Sequence, residues 1–185
     1  QSAPCPAGPL SLAPGEVVVV SGGARGITAA CAVALARHAR PHLVLLGRTP
    51  DPEAEPEWMI GLADEAAVRK ALLEHEFDPT AATPAEVDAR LRRLLANRDI
   101  ALTLERIRAA GASAEYASVD IRDAEGVGRV LDEVRGRRGP VRALIHAAGV
   151  LEDRLILDKT PEQFQRVYDT KVKGFRALLR ALPAE

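Results

Sequence analysis

The chain has 185 residues, 47% of them hydrophobic, 28% charged and 3% aromatic, with a formal net charge of −1. One domain with a substantial core is expected at this length, and the balance of charge and apolar content does not fit disorder. No apolar run approaches the roughly 18–20 residues needed to cross a bilayer, and near-neutrality argues against nucleic acid, which requires a cationic face.

Two cysteines, Cys5 and Cys31, cannot make a disulfide framework, so a reduced, cytoplasmic setting is expected. The histidines (His38, His42, His75 and His146) show no metal-ligand spacing, and no metal is expected.

Residues 1–15 are rich in Pro, Ser and Ala and read as a linker before a domain at 16–185. The start at Gln1 without a signal-peptide pattern suggests an excerpt from a longer polypeptide. Glu16–Val20 is a β-branched run of the kind found in strands buried on both faces. Ser21-Gly22-Gly23 breaks it. A helix follows, with Ile27, Cys31, Ala34, Leu35 and His38 at 3–4 spacing on one predicted inner stripe. His42–Leu46 is a second strand, ending in Gly47-Arg48-Thr49-Pro50.

Residues 51–100 depart from this β-α-β rhythm and read as a mostly helical insertion, whose function the sequence does not reveal. A helix is predicted from Asp64 to about His75. Thr83-Pro84-Ala85-Glu86 is a capping box with Pro at the first helical position. The helix it opens could run past Leu91, Leu94 and Leu95 to Ala110, where Gly111 ends it.

The rhythm then resumes with a third strand from Ala114 to Val119, a helix over 123–135 and a fourth strand at Ala143–His146. Arg135-Gly136-Arg137-Arg138 reads as a solvated turn. Thr160-Pro161-Glu162-Gln163 is a second capping box, opening a helix over 161–182. The prediction is an α/β fold: a Rossmann-like, doubly wound parallel sheet, incomplete at about four strands, with helices on both faces. Ligands of such sheets bind beyond the carboxyl ends of the strands, at the switch point.

Ser21 to Thr28, Arg48, Asp120 and His146 to Gly149 all sit at those ends. Ser21-Gly22-Gly23-Ala24-Arg25-Gly26-Ile27 follows a strand and opens a helix. Glycines there let the backbone approach a pyrophosphate, and the helix N-terminus holds the anion. The alternative is a plain glycine turn. Arg48 ends the second strand, where an acid would bind the ribose 2′-hydroxyl of NAD and a cation suits the 2′-phosphate of NADP. Arg25 could reach the same phosphate; otherwise both are solvated surface arginines. NADPH is therefore favoured over NADH.

Asp120 could accept from an adenine amino group while Ile121 packs on the ring, or Asp120 could cap a turn. His146-Ala147-Ala148-Gly149 offers small residues against which a flat cofactor could lie. A lone His146 is more often a core or supporting histidine than a catalyst. On the last helix, at ~100° per residue, Phe164, Tyr168, Phe175, Leu178 and Leu179 share a face, with Lys171 about 40° from its centre and Lys173 nearly opposite. Lys171 either snorkels or aims its ammonium into a site.

Together, SGGARGI (21–27), HLVLLGR (42–48), VDIRD (119–123) and HAAGVLEDRLILDKTPEQFQRVYDTKVKG (146–174) resemble the short-chain dehydrogenase/reductase superfamily. The closer resemblance is to ketoreductase domains of polyketide and polyunsaturated-fatty-acid synthases. Ser21 stands for the Thr of the family's T-G-x-x-x-G-x-G motif, and Thr28 stands where its last Gly is expected. HAAG replaces the NNAG of single-domain relatives.

The resemblance implies NADPH-dependent reduction of a β-ketoacyl thioester carried by an acyl carrier protein, alongside other domains of a multienzyme. It places the active-site lysine of the K-V-x-G string at Lys171. It also puts the catalytic Ser and Tyr after this helix, beyond Glu185, so the chain is expected to supply the cofactor-binding part. A non-catalytic structural module and another NADP-dependent alcohol or sugar reductase are the rival readings.

Overall fold

The computed structural model describes residues 11–50, 52–78 and 82–182; most of the predicted linker, Cys5 and Asp51 lie outside them. Four strands, β1 (Val17–Ser21), β2 (His42–Gly47), β3 (Ser113–Ser118) and β4 (Val141–His146), form one sheet in the order β3-β2-β1-β4. Every pairing is parallel, so the predicted Rossmann-like sheet is present. The chain steps outward from β1 to β2 to β3, then returns to the other side of β1. The switch point therefore lies between β1 and β4. Register brings Ser21 level with Leu46 on one side and His146 on the other, so three strand ends share one edge.

Side chains alternate across the pleat and feed a separate core on each face. Val18, Val20, Leu43 and Leu45 pack with Ala32, Val33 and Ala36 of α1 (Gly26–Ala39) and with Ile100, Leu104 and Ile107 of α3 (Pro84–Ala109). On the other face Val17, Val19, Val44 and Leu46 pack with Val127, Leu131 and Val134 of α4 (Ala124–Arg138) and with Leu178 of α6 (Gly174–Ala181). Each fully buried Val or Leu contributes about 1.5–3 kcal/mol. No helix is long and apolar enough to cross a membrane among the described residues.

The stretch read as an insertion contains a 3-10 turn (Glu57–Met59), α2 (Glu65–Glu76) and the first part of α3. Asp64 caps α2 by accepting from the Ala67 N–H. Thr83 and Glu86 form both halves of the predicted capping box, and Gly111 takes a left-handed φ of 82° just after α3. Helix α3 runs unbroken through residue 100, but its packing changes there. Val87, Leu91 and Leu94 join Met59, Val68 and Leu72 in a satellite core, whereas Ile100 onward belongs to the sheet.

Three expectations are corrected. Helix α1 buries Ala29, Ala32, Val33 and Ala36, and leaves Ile27, Cys31, Ala34 and His38 exposed. The helix is alanine-rich and apolar on more than one side, so 3–4 spacing fits two faces. The alanine face lets α1 lie close to the sheet.

The last predicted helix is interrupted: α5 (Pro161–Tyr168), a π-helical turn (Asp169–Lys173) and α6 follow one another. The Gly174 N–H bonds the Asp169 carbonyl, an i→i+5 step that breaks the 100° projection. Phe164, Phe175 and Leu179 of the predicted inner stripe are exposed, while Leu178 is buried. Lastly, Arg135–Arg138 form the final turn of α4. There Arg135 donates to the Ala181 carbonyl, and Arg137 pairs with Glu115 at 3.1 Å.

Candidate active site

A cleft of about 530 Å³ opens at the carboxyl edge of β1, β2 and β4, within the size range of small-molecule sites. Of the predicted residues it is lined by Gly22, Arg25, Gly26 and Ile27, by Arg48, by Ile121 and by Ala147, Ala148 and Gly149. Ser21, Gly23, Ala24, Asp120, His146 and Lys171 do not line it. A smaller recess of about 200 Å³ adjoins it; Ala24, Arg25 and Arg48 line that recess, with Ile100 of α3.

The glycine loop is shaped by two close approaches. Gly22 has φ +70°, and a Cβ there would meet the backbone of Ala148 at 2.9 Å. The loop after β1 and the loop after β4 thus touch backbone to backbone. A Cβ on Gly23 would meet the Val20 side chain at 2.6 Å, which explains a glycine that lies behind the cleft. Gly26 has φ +60° with open space around it, so its requirement is conformational.

Helix α1 starts at Gly26 with Arg25 at its N-cap, no side-chain cap and no acid in its first turn. Its first N–H groups and the positive end of its dipole therefore suit an anion. Together with the Gly22 cradle, these residues fit a dinucleotide.

Behind the loop, Ser21 and His146 form a tie. His146 Nε2 lies 3.1 Å from the Lys171 carbonyl. A carbonyl only accepts, so this nitrogen carries the proton and Nδ1 accepts from Ser21 Oγ at 2.7 Å. Ser21 Oγ then accepts from the Ala148 N–H at 3.3 Å. Burial lowers the His146 pKa from its ordinary value, and the Lys171 charge acts in the same direction. The ring also stacks on Phe175. His146 thus links β1, the β4 loop and the π-helical turn.

Lys171 is exposed, yet it is held close to the cleft. A Cβ on Gly149 would meet Lys171 Cε and Nζ at 3.0 Å, so this glycine makes room for the ammonium. Lys173 points elsewhere, its Nζ 2.7 Å from Asp169 Oδ1. Both lysines are exposed, so the predicted placement of Lys171 on a buried helix face does not hold; what separates them is their neighbours, Gly149 beside Lys171 and Asp169 beside Lys173.

Asp120 is gripped by Arg122, with Nε at 3.0 Å and Nη2 at 2.6 Å. That bond chiefly lowers the Asp120 pKa, and the Arg48 charge assists. Arg48 is exposed at the end of β2. The neighbouring Gly47 is packed under Tyr116, whose hydroxyl donates to the Thr49 carbonyl at 2.8 Å. Sequence reasoning missed two contacts from α3: Thr103 Oγ1 donates to the Ala24 carbonyl at 2.9 Å, and Arg25 Nε donates to Asp99 Oδ2 at 3.1 Å. Neither has a local signal, because the partners are 79 and 74 residues apart.

A family model described as "KR domain" matches residues 16–185. A polyunsaturated fatty acid synthase from Thraustochytrium sp. is 37% identical over 175 residues, which cover 90% of this chain and 6% of that protein. Mellein synthase of Phaeosphaeria nodorum is 38% identical over 102 residues, 53% of this chain and 6% of that protein. The chain thus spans a small part of the length of these relatives.

Among solved structures, an N-terminal ketoreductase from the macrolactin assembly line aligns with a TM-score of 0.64 at 23% identity, covering 92% of this chain and 26% of that one. A Mycobacterium paratuberculosis short chain dehydrogenase bound to NAD gives 0.61 at 24% identity, covering 93% and 51%. A metagenomic short-chain oxidoreductase in complex with NADP gives 0.58 at 21% identity, covering 93% and 57%. These structures share the fold. The sequence matches go further: the chain belongs to the KR domain family, and its relatives include regions of polyketide and polyunsaturated fatty acid synthases.

Proposed function

We propose that this chain supplies the coenzyme-binding part of an NADPH-dependent ketoreductase that reduces a β-ketoacyl thioester on an acyl carrier protein to the β-hydroxyacyl form. The observation that carries the coenzyme choice is the pair Arg25 and Arg48, which line one recess at the carboxyl edge. Guanidinium groups match phosphate oxygens in geometry and charge. A 2′-phosphate would sit between them, and the uncapped start of α1 would take the pyrophosphate.

Ile121 would pack on the adenine. Asp120, kept ionised by Arg122, retains lone pairs for the adenine amino group. Ala147, Ala148 and Gly149 form a floor with little side chain above it. Ser21 and His146 support that floor from behind. Bound NADPH supplies the hydride for the β-carbonyl carbon.

Lys171 acts on the proton side of the reaction. An ammonium beside a phenol lowers the phenol's pKa, and beside a ribose hydroxyl it donates a hydrogen bond. The phenol would come from a tyrosine of the parent multienzyme and would protonate the alkoxide. Turnover then requires the parent enzyme, while coenzyme binding is assigned to the residues here.

The test is a kinetic assay of the parent enzyme's ketoreductase with a β-ketoacyl pantetheine thioester. Thioester-dependent oxidation of NADPH, at a kcat/KM at least about tenfold above that for NADH, is expected. Equal use of both coenzymes would remove the arginine argument. Absence of thioester-dependent oxidation would remove the function.

A further inference from the structure

Helix α3 touches the glycine loop twice from one face. Asp99 and Thr103 are four residues apart, hence one turn apart on the same side. Thr103 is 4% exposed, and its hydroxyl donates to the Ala24 carbonyl in a buried bond of 2.9 Å. The peptide after Ala24 is trans, so its C=O and N–H point opposite ways. Anchoring the carbonyl on α3 turns the Arg25 N–H away from α3.

Asp99 meets Arg25 through Nε, and the two Nη groups are not part of that bond. The two side chains are 52% and 50% exposed. A half-exposed ion pair adds little to stability, so its consequence lies in where it holds the guanidinium. Arg25, Arg48 and Ile100 of α3 line the same recess.

We propose that Asp99 and Thr103 are positioning residues for coenzyme phosphates, giving this part of α3 a role that its sequence did not disclose. Thr103 sets the Ala24–Arg25 peptide. Asp99 takes the Nε edge of Arg25 and leaves the Nη edge for a phosphate monoester, the 2′-phosphate of an adenine coenzyme. This inference rests on the phosphorylated-coenzyme reading above.

Asp99 could instead repel an incoming phosphate. Repulsion at a half-exposed site is screened, whereas a flexible arginine held in advance loses less freedom on binding. Preorganisation is therefore the stronger effect, and the two accounts predict opposite signs.

The test is titration of the parent ketoreductase with NADPH and with NADH, followed by nicotinamide fluorescence. Arg25→Ala should weaken NADPH about tenfold or more and leave NADH within about twofold. Asp99→Ala should weaken NADPH about three- to tenfold with the same indifference to NADH, and Asp99→Asn, which keeps an acceptor oxygen, should recover most of the loss. In the Arg25→Ala background, Asp99→Ala should have no further effect.

Thr103→Val should weaken both coenzymes alike, and Thr103→Ser should bind like the wild type. If Arg25→Ala matters and Asp99→Ala does not, or if Asp99→Ala tightens NADPH, the Asp99 inference fails while the phosphate reading survives. If Arg25→Ala and Arg48→Ala both leave NADPH and NADH unchanged, both fall. A Thr103→Ser variant as weak as Thr103→Val would show that packing, not the hydroxyl, matters, and would overturn the Thr103 half.

Discussion

The two sides of the cleft are built differently. On the side of β1 and β2, every residue of β1 is buried, β2 is buried except at Gly47, and the glycine loop is fixed by backbone contact and by α3. On the side of β4 and the lysine, no residue of β4 or α5 is fully buried, and Leu151, Ile156, Leu157 and Phe164 face solvent. Lys171 is placed there by the π-helical turn and by one histidine reaching its carbonyl. The glycine-loop side is held by buried strands, a backbone contact and α3, and the lysine side by fewer contacts. Substitutions should therefore act on activity at the lysine side and on both binding and stability at the loop side.

The largest expected effect comes from Lys171. In the parent enzyme, Lys171→Ala should lower kcat by about 100-fold or more, the range for loss of acid–base assistance. Lys173→Ala should stay within about threefold, because Lys173 is paired with Asp169 on the exposed surface. Steady-state turnover of the two variants checks this, and the reverse order would refute the assignment of the lysine side.

Next is Gly22→Ala, which meets both a left-handed φ and backbone atoms at 2.9 Å. It should destabilise by about 2–4 kcal/mol and reduce coenzyme affinity. Gly26→Ala, with open space around it, should cost about 1 kcal/mol. Denaturant unfolding and coenzyme titration of both variants would show whether close approach, beyond backbone conformation, defines the loop.

The tie between the two sides has a pH signature. Burial keeps the folded-state pKa of His146 below its ordinary value. As pH falls below about 6.5, the unfolded chain protonates this imidazole first, so the unfolded state binds more protons. The stabilisation is complete above that pH and is lost as pH falls toward the folded-state pKa. Melting temperatures should decline from pH 7 to 5, and His146→Gln should make that decline shallower. An unchanged slope would detach His146 from stability.

The smallest effect is expected where the satellite core meets the sheet. Asn97 of α3 is buried, and neither side-chain amide atom has a protein partner among the described residues. Asn97→Leu should stabilise by about 1 kcal/mol, read as a higher unfolding midpoint.

What the sequence disclosed follows a different contrast, local pattern against long-range contact. Strand β1, the glycine loop and both capping boxes are local patterns, and Thr83–Glu86 and Thr160–Gln163 form as their spacing predicts. Cleft residues were legible because the β-α-β order sends strand ends to one edge. The faces of α1 and of the last helix were not. An alanine-rich helix carries no clear stripe, and nothing in Asp169–Lys173 announces an i→i+5 turn. Asp99 and Thr103 were invisible for a third reason: their partners lie across the fold.

The most direct measurement isolates the phosphate from the rest of the coenzyme. Adenosine 2′,5′-bisphosphate and adenosine 5′-monophosphate would each be titrated against NADPH bound to the parent ketoreductase, in the wild type and in Arg48→Ala. The bisphosphate should displace NADPH at a concentration at least about tenfold lower, and Arg48→Ala should erase most of that advantage. Equal displacement by the two nucleotides in the wild type would contradict the pocket built from the glycine loop, Arg25 and Arg48.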